Sequence, residues 1–210
     1  MAEFDFTNNW FDSVPTGVWE QILNQTHPKK ILEVGSYEGA SACFLINLLA
    51  SRSDIEIHCV DTWEGGIEHQ EILATDGDKR SLEARFHHNV NLAIEKVGRP
   101  VAFFAHKGTS DLCLAKLLSE GKRNYFDFIY IDGSHQAPDV LCDAVLGFRL
   151  LKAGGIMAFD DYLWAETLPY GKDPIRCPKP AIDAFVNLNI RKLQVLQAPL
   201  YQLYIQKLSD

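Results

Sequence analysis

The segment Ile31-Leu32-Glu33-Val34-Gly35-Ser36-Tyr37-Glu38-Gly39-Ala40-Ser41 constrains the fold most: an apolar run breaks into a glycine-bracketed turn and reopens as a helix start. A strand, turn and helix of this kind opens a doubly wound nucleotide-type domain. In that unit Gly35 and Gly39 let the backbone approach a ligand closely, and the amides of the following helix face its anionic part. A second apolar run, 55–60, closes on Asp61. That acid lies about 20 residues past the turn, where these folds carry a ribose-binding carboxylate. The two blocks together indicate a bound nucleoside.

Spacing narrows the ligand. A dinucleotide turn needs glycine at its first, third and sixth positions to seat a pyrophosphate, and here Tyr37 and Ala40 hold the third and sixth. Glu33 and Glu38 add negative charge beside the turn, which disfavours a diphosphate and suits a ligand with a cationic amine or sulfonium. S-adenosylmethionine, which has an adenosine, an ammonium, a carboxylate and a sulfonium, meets those demands.

Along the chain, apolar runs alternate with helical patterns. This predicts an α/β fold: a Rossmann-like, doubly wound, mostly parallel sheet with a C-terminal antiparallel hairpin. Strands are expected at 30–34, 55–60, 101–105, 126–131 and 155–160. One helix carries Leu82, Phe86, Val90 and Val97 inward and stops at Gly98 and Pro100. Another starts near Pro138, carries Val140, Ala144, Val145 and Phe148 inward, and ends at Gly154-Gly155. Alternating runs at 192–196 and 201–207 read as the edge hairpin, which can pair across a homodimer. A single domain over 1–210 is the economical reading: a lead segment 1–29, a cofactor-binding core 30–162, a Pro-rich substrate lid loop 163–180, and a helix with the hairpin at 181–210.

Composition excludes some classes of partner. A net charge of −8 and a pI near 5.3 argue against nucleic-acid or membrane-surface binding, which need a basic face, and favour a small-molecule substrate. The five cysteines form no CxxC pair and mostly fall in apolar runs, as free thiols do in a reducing compartment. The N-terminus shows no basic region ahead of an apolar one, and no run nears the ~20 residues that span a bilayer. The expected location is the cytoplasm.

Five blocks in order carry a family resemblance: Glu33 to Ser41; Val60-Asp61-Thr62-Trp63; Lys107-Gly108-Thr109-Ser110; Ile129 to His135; and Lys152 to Tyr162. The chain resembles the class I S-adenosylmethionine-dependent methyltransferases, and within them the small-molecule O-methyltransferases of the catechol and macrolide-sugar kinds. The resemblance implies that Gly35, Ser36, Tyr37, Gly39 and Ser41 border the methionine half of the cofactor, with Glu33 near its ammonium. It places Asp61 on the ribose hydroxyls with Thr62 beside it, and Trp63 and Ser110 by the adenine.

Asp132 ends the fourth predicted strand and Asp160-Asp161 the fifth. Neighbouring strands run ~4.8 Å apart, so the carboxylates converge at the carboxyl edge of the sheet. Carboxylate-rich surroundings suit a hard divalent cation such as Mg²⁺. The resemblance implies that Asp132, Asp160 and Asp161 hold a metal that binds a substrate hydroxyl, with Asp132 also touching cofactor or substrate. Asp161 stands where the catechol enzymes carry Asn, which points to the sugar branch. His135 stands where those enzymes have lysine and is the candidate general base.

Alternatives stay open at this level. Strand-end acids also cap helices, and a histidine after a Gly-Ser turn also binds helix ends. Trp10, Phe11 and Trp19 read first as packing for the lead segment and second as a substrate wall. Lys172, Arg176 and Lys179 are either solvated or attract an anionic acceptor. Rival functions are a non-methylating, hydroxylase-like relative, methyl transfer to nitrogen, a nucleoside-binding protein without turnover, and an NAD-dependent dehydrogenase. Tyr37 and Ala40 disfavour the last.

Overall fold

The computed structural model describes residues 2–66, 81–166 and 168–210. The expected acceptor-shaping insertion, Glu64 to Arg80, falls outside the described residues from position 67 to 80. Among the described residues the strands form one seven-stranded sheet in the order β3-β2-β1-β4-β5-β7-β6. These are β1 (Lys30–Val34), β2 (Ile55–Asp61), β3 (Val101–Lys107), β4 (Phe126–Ile131), β5 (Leu151–Phe159), β6 (Leu193–Val195) and β7 (Leu203–Lys207). Strands β1 to β5 pair in parallel, and β7 runs antiparallel between β5 and β6. This is the predicted parallel sheet with its edge hairpin.

Period-two alternation splits the core into two layers. Ile31, Ile57, Cys59, Phe128, Tyr130 and Ala158 face one side, under α1 (Thr16–Thr26), α2 (Ala40–Leu45, continued by a wider turn to Ala50) and α3 (Leu82–Val97). Leu32, Val34, Val60, Ile129, Ile131, Met157 and Phe159 face the other, under α4 (Ser110–Ser119), α5 (Ala137–Leu150) and α6 (Lys179–Asn189). Leu82, Phe86 and Val90 are buried along α3, and Gly98 closes that helix in a left-handed conformation, as its sequence requires.

Two expectations about α5 need correction. The helix ends at Leu150, not at Gly154-Gly155, because Asn124 and Tyr125 donate their N–H groups to the carbonyls of Arg149 and Leu150 while Leu151 already pairs with Phe126. Val145 is 44% exposed. Val140, Ala144 and Phe148 repeat every four residues on the buried face, and Val145 stands one residue, a rotation of about 100°, beyond it. All five cysteines are free, and among the described residues no helix is long and apolar enough to cross a membrane.

Candidate active site

Strand order reverses between β1 and β4, and in open parallel sheets ligands bind outside the carboxyl ends of the strands at such a point. Here the turn after β1 lies directly on the turn after β4. Gly35 has φ +85°, and a Cβ at that position would sit 2.0 Å from the Asp132 carbonyl oxygen. Gly39, at φ +83°, would meet Phe86 and Val90 of α3 at 3.1 Å. The sequence predicts close ligand approach at both glycines; backbone packing on the turn after β4 also demands the first, and helix packing the second.

Two cavities flank this contact, of about 410 and 420 Å³. Gly35, Tyr37, Asp132 and Gly133 line both and so form a shared wall. The one called the donor side, after the sequence expectation for its residues, is also lined by Asp61, Thr62, Ser110, Ser134 and Cys142. The other, called the acceptor side after the expected metal and base residues, takes Ser36, Ser41, His135, Asp160 and Asp161 from the predicted set.

On the donor side the Asp61 carboxylate is a brace. Its Oδ2 accepts the N–H groups of Ser36 and Tyr37, both at 2.8 Å, and its Oδ1 accepts that of Trp63 at 2.7 Å. A carboxylate offers about four acceptor positions, so about one is left toward the cavity. Trp63 turns inward: its indole N–H donates to the Tyr37 carbonyl at 3.1 Å and its ring lies 4.7 Å from that of Phe86. It packs the turn and lines neither cavity.

Glu33 lies beneath the turn, fully buried, and accepts the Ser41 hydroxyl at 2.5 Å. Burial pushes its carboxyl up, against the opposing pull of the Ser36 and Ser41 hydroxyls. Glu38 is also enclosed. Its carboxylate accepts the Thr7 N–H at 2.8 Å, the Thr7 hydroxyl at 2.6 Å and the Asn8 amide at 3.4 Å, with Arg85 at 3.6 Å. Glu33 lines neither cavity, whereas Glu38 lines the acceptor side and ties the lead segment over it.

The acids at the ends of β4 and β5 meet as expected, because Ile131 pairs with Phe159 and the next residue of each strand rises on the same face. Tyr130, two residues before Asp132 and fully buried, shares that face. Its hydroxyl lies 3.0 Å from Asp132 Oδ2 and makes a short hydrogen bond with Asp160 Oδ2. Asp160 Oδ1 accepts the Asp161 N–H at 2.8 Å, so both oxygens of Asp160 are engaged inside the protein. Gln202 closes the network from below: its amide reaches Tyr130 at 3.5 Å, and its carbonyl accepts the Trp19 indole N–H at 2.8 Å.

The groups that gather around one point are Asp132, His135 and Asp161, each half-buried, with one ligand atom apiece all within 4.8 Å of one another. Of the predicted trio, Asp132 and Asp161 gather with His135, while Asp160 bonds to Tyr130 and lines the same cavity. His135 Nε2 is 2.9 Å from Asp161 Oδ2, and the Trp164 ring lies against the imidazole at 4.3 Å, tilted by 48°. Asp161 has φ +52°, a left-handed conformation that Asn and Asp tolerate best. Desolvation first, then the nearby charges of Asp160 and Asp161, holds the Asp132 carboxyl well above the usual range; Asp160 is raised by burial and then by Asp161. A bound cation would offset that crowding, and two carboxylates with an imidazole are a competent donor set.

The lead segment divides. Trp19 is buried against Phe128 and Tyr130, as expected of packing, whereas Phe6, Trp10 and Phe11 line the acceptor cavity with Trp164 and Tyr201. Of the basic residues, Arg176 pairs with Glu166 at 2.7 Å and Lys179 with Asp183 at 2.5 Å. Sequence reasoning passed over Tyr130, Gln202 and Asn89. The one available signal was a tyrosine two residues before a strand-ending acid in an otherwise apolar strand.

Residues 32–162, more than half of the chain, match the family model described as a methyltransferase domain. The chain belongs to that family. Among curated proteins, this methyltransferase domain is 27% identical over 144 residues to "Probable caffeoyl-CoA O-methyltransferase 3" of Dictyostelium discoideum, covering 68% of the chain and 47% of that protein. It is 26% identical over 149 residues to caffeoyl-CoA O-methyltransferase 1 of Eucalyptus globulus, covering 68% and 57%. The match thus spans about half the length of these relatives. Among solved structures, an O-methyltransferase from Bacillus cereus in complex with SAH superposes with a TM-score of 0.64 at 18% identity, covering 95% of this chain and 84% of the other. A TDP-rhamnose 3′-O-methyltransferase of calicheamicin biosynthesis gives 0.63 at 13% identity, covering 90% and 77%. At such identities the likeness shows the fold.

Proposed function

We propose that this methyltransferase domain transfers a methyl group from S-adenosylmethionine to a hydroxyl oxygen of a small molecule, with a divalent cation held on the acceptor side. The observation that carries this reading is the shared wall. A cavity bordered by a strand-end acid and a helix N-terminus meets a second cavity bordered by two carboxylates and an imidazole, and Asp132 belongs to both. Each cavity falls within the ~300–1,000 Å³ of ordinary small-molecule sites. The O-methyltransferase activities by which the curated relatives are named point the same way.

When bound, the donor supplies an electrophilic methyl on a sulfonium, and a divalent cation lowers the pKa of a coordinated hydroxyl. The chain's own residues supply the rest. On the donor side Asp61 holds the turn rigid and keeps about one acceptor position for a ribose hydroxyl, while Ser110 borders the adenine end. On the acceptor side Asp132 and Asp161 would hold the cation, with His135 beside Asp161 placed to take up the hydroxyl proton. Phe6, Trp10, Phe11 and Trp164 exclude water and give an acceptor ring apolar faces to pack on. Alignment of oxygen and methyl across the shared wall provides the rate enhancement that proximity allows.

Titrating the dialysed protein with S-adenosylmethionine and with NAD, each with and without Mg²⁺, tests the reading, followed by acceptor screening by mass gain of one methyl. The expected result is S-adenosylmethionine binding with or without cation, no NAD binding, and cation-dependent methylation of a hydroxyl compound. Absence of S-adenosylmethionine binding at millimolar concentration refutes it.

A further inference from the structure

We propose that the acceptor is an aromatic hydroxyl compound that carries an ammonium group and no phosphate, and that Trp10 sets this preference. This rests on the methyl-transfer reading above and names the substrate class for it.

The acceptor cavity is charged on one side only. Glu38, Asp132, Asp160 and Asp161 line it, and among the described residues no lysine or arginine does. Buried Arg85, 3.6 Å from Glu38, answers the charge of that residue. Arg176 and Lys179, which in sequence could have drawn an anion, are paired with Glu166 and Asp183. The segment 67–80 brings Glu68, Glu71, Asp76 and Asp78 against only Lys79 and Arg80. A divalent cation offsets two of the three remaining carboxylates and leaves one. A phosphate entering here would meet carboxylates with no cation of the protein to balance it, whereas an ammonium would be attracted.

The aromatic walls favour the same ligand. Phe6, Trp10 and Tyr201 are 37%, 42% and 44% exposed, and all three border this one cavity. Apolar rings exposed together mark a binding surface. They are also backed from behind: the Trp10 ring lies 5.1 Å from Tyr37, and the Phe11 ring 5.5 Å from Phe44 and 5.9 Å from Trp19. Such walls keep their place without a ligand, and each offers a face that packs a phenol ring or receives a cation. Trp10, on the single turn Trp10–Ser13, both lines the cavity and meets solvent. With the reacting hydroxyl at the buried acids, the far end of the acceptor reaches toward it.

The test is calorimetry on the full chain with Mg²⁺, titrated first with S-adenosylhomocysteine and then with four probes. Three share a 4-hydroxyphenylethyl skeleton and end in ammonium, hydroxyl or phosphate monoester; the fourth is glucose. The ammonium probe should bind about 3–10-fold tighter than the hydroxyl probe, and the phosphate probe about 10-fold or more weaker than the hydroxyl probe. Added salt should narrow both gaps. Glucose should bind least. Trp10→Ala should weaken the ammonium probe more than the hydroxyl probe, and Trp10→Arg should reverse the order of ammonium and phosphate; S-adenosylhomocysteine binding reports that each variant is folded. A phosphate probe as tight as the hydroxyl probe in the wild type, glucose tighter than either, or no probe binding to the donor-loaded protein overturns the inference and leaves the methyltransferase reading standing. An unchanged order in Trp10→Arg overturns the role of Trp10. If S-adenosylhomocysteine itself does not bind, the proposed function falls and the inference with it.

Discussion

On the donor side, the acid that ends β2 is enclosed by three backbone amides at 2.7–2.8 Å, and its charge is spent on holding a turn. On the acceptor side, the acids that end β4 and β5 face one another, a phenol and a histidine, and two of them are pushed up by burial and mutual repulsion. Both kinds of acid stand at strand ends of one sheet and look alike in sequence. What separates them is whether the following loop folds back to satisfy them. A satisfied acid serves structure and shape, whereas crowded acids retain interaction energy that a cation or a proton can release.

The largest expected effect comes from breaking the wall that the two sides share. Gly35→Ala places a methyl group on the Asp132 backbone and should cost about 4 kcal/mol or more in urea denaturation, enough to prevent folding. Gly39→Ala meets only side-chain atoms of Phe86 and Val90, at 3.1 Å, and should cost about 1–2 kcal/mol. Next, Asp132→Asn should lower kcat about 10³-fold while Tm holds or rises, because it removes a crowded charge. Its donor affinity, read by calorimetry, should stay near that of the wild type.

Asp143, on α5 and 1% exposed, sharpens the comparison because it is a crowded acid on the donor flank. Burial raises its carboxyl from 3.8 to about 7, partly offset by Ser110. The folded state therefore binds its proton more tightly than the unfolded chain does. The stability this gives is full below about pH 4 and is lost as pH rises through about 7. Asp143→Asn cannot ionise, so it should lack the loss of about 2–4 kcal/mol in stability that the wild type shows between about pH 4 and pH 8. On the donor side proper, Asp61→Ala should weaken S-adenosylmethionine binding about 10–100-fold, through loosening of the turn, with a smaller loss of stability. Asn89→Ala removes bonds to Asp5 and to the Glu38 carbonyl, and should cost about 1–2 kcal/mol while raising acceptor KM more than it changes donor affinity.

The parallel sheet, its order of elements and the edge hairpin were legible because each strand is an apolar run with a clear stop. The two strand-end acid groups were legible for the same reason, since register alone brings residues 132 and 160 together. Features set by contacts between distant segments were not. Nothing local says that Asp61 folds onto Ser36 and Tyr37, or that Glu38 binds Thr7 and Asn8. That Asp160 turns to Tyr130 while His135 gathers with Asp132 and Asp161 was hidden because it depends on a tyrosine hydroxyl on the neighbouring strand. Trp10 and Trp19 read alike in an aromatic-rich lead segment, and only the path of the chain sends one to the cavity and the other to the core.

The account stands on the separation of a donor side from an acceptor side across Asp132. Calorimetric titration of S-adenosylmethionine into wild-type protein and Asp132→Asn, each dialysed against chelator and then reloaded with Mn²⁺, tests it most directly. Equal donor affinity in both proteins with or without cation, together with methyl transfer by the loaded wild type alone, is the predicted result. No S-adenosylmethionine binding by the wild type at millimolar concentration, or full turnover by Asp132→Asn, would contradict it.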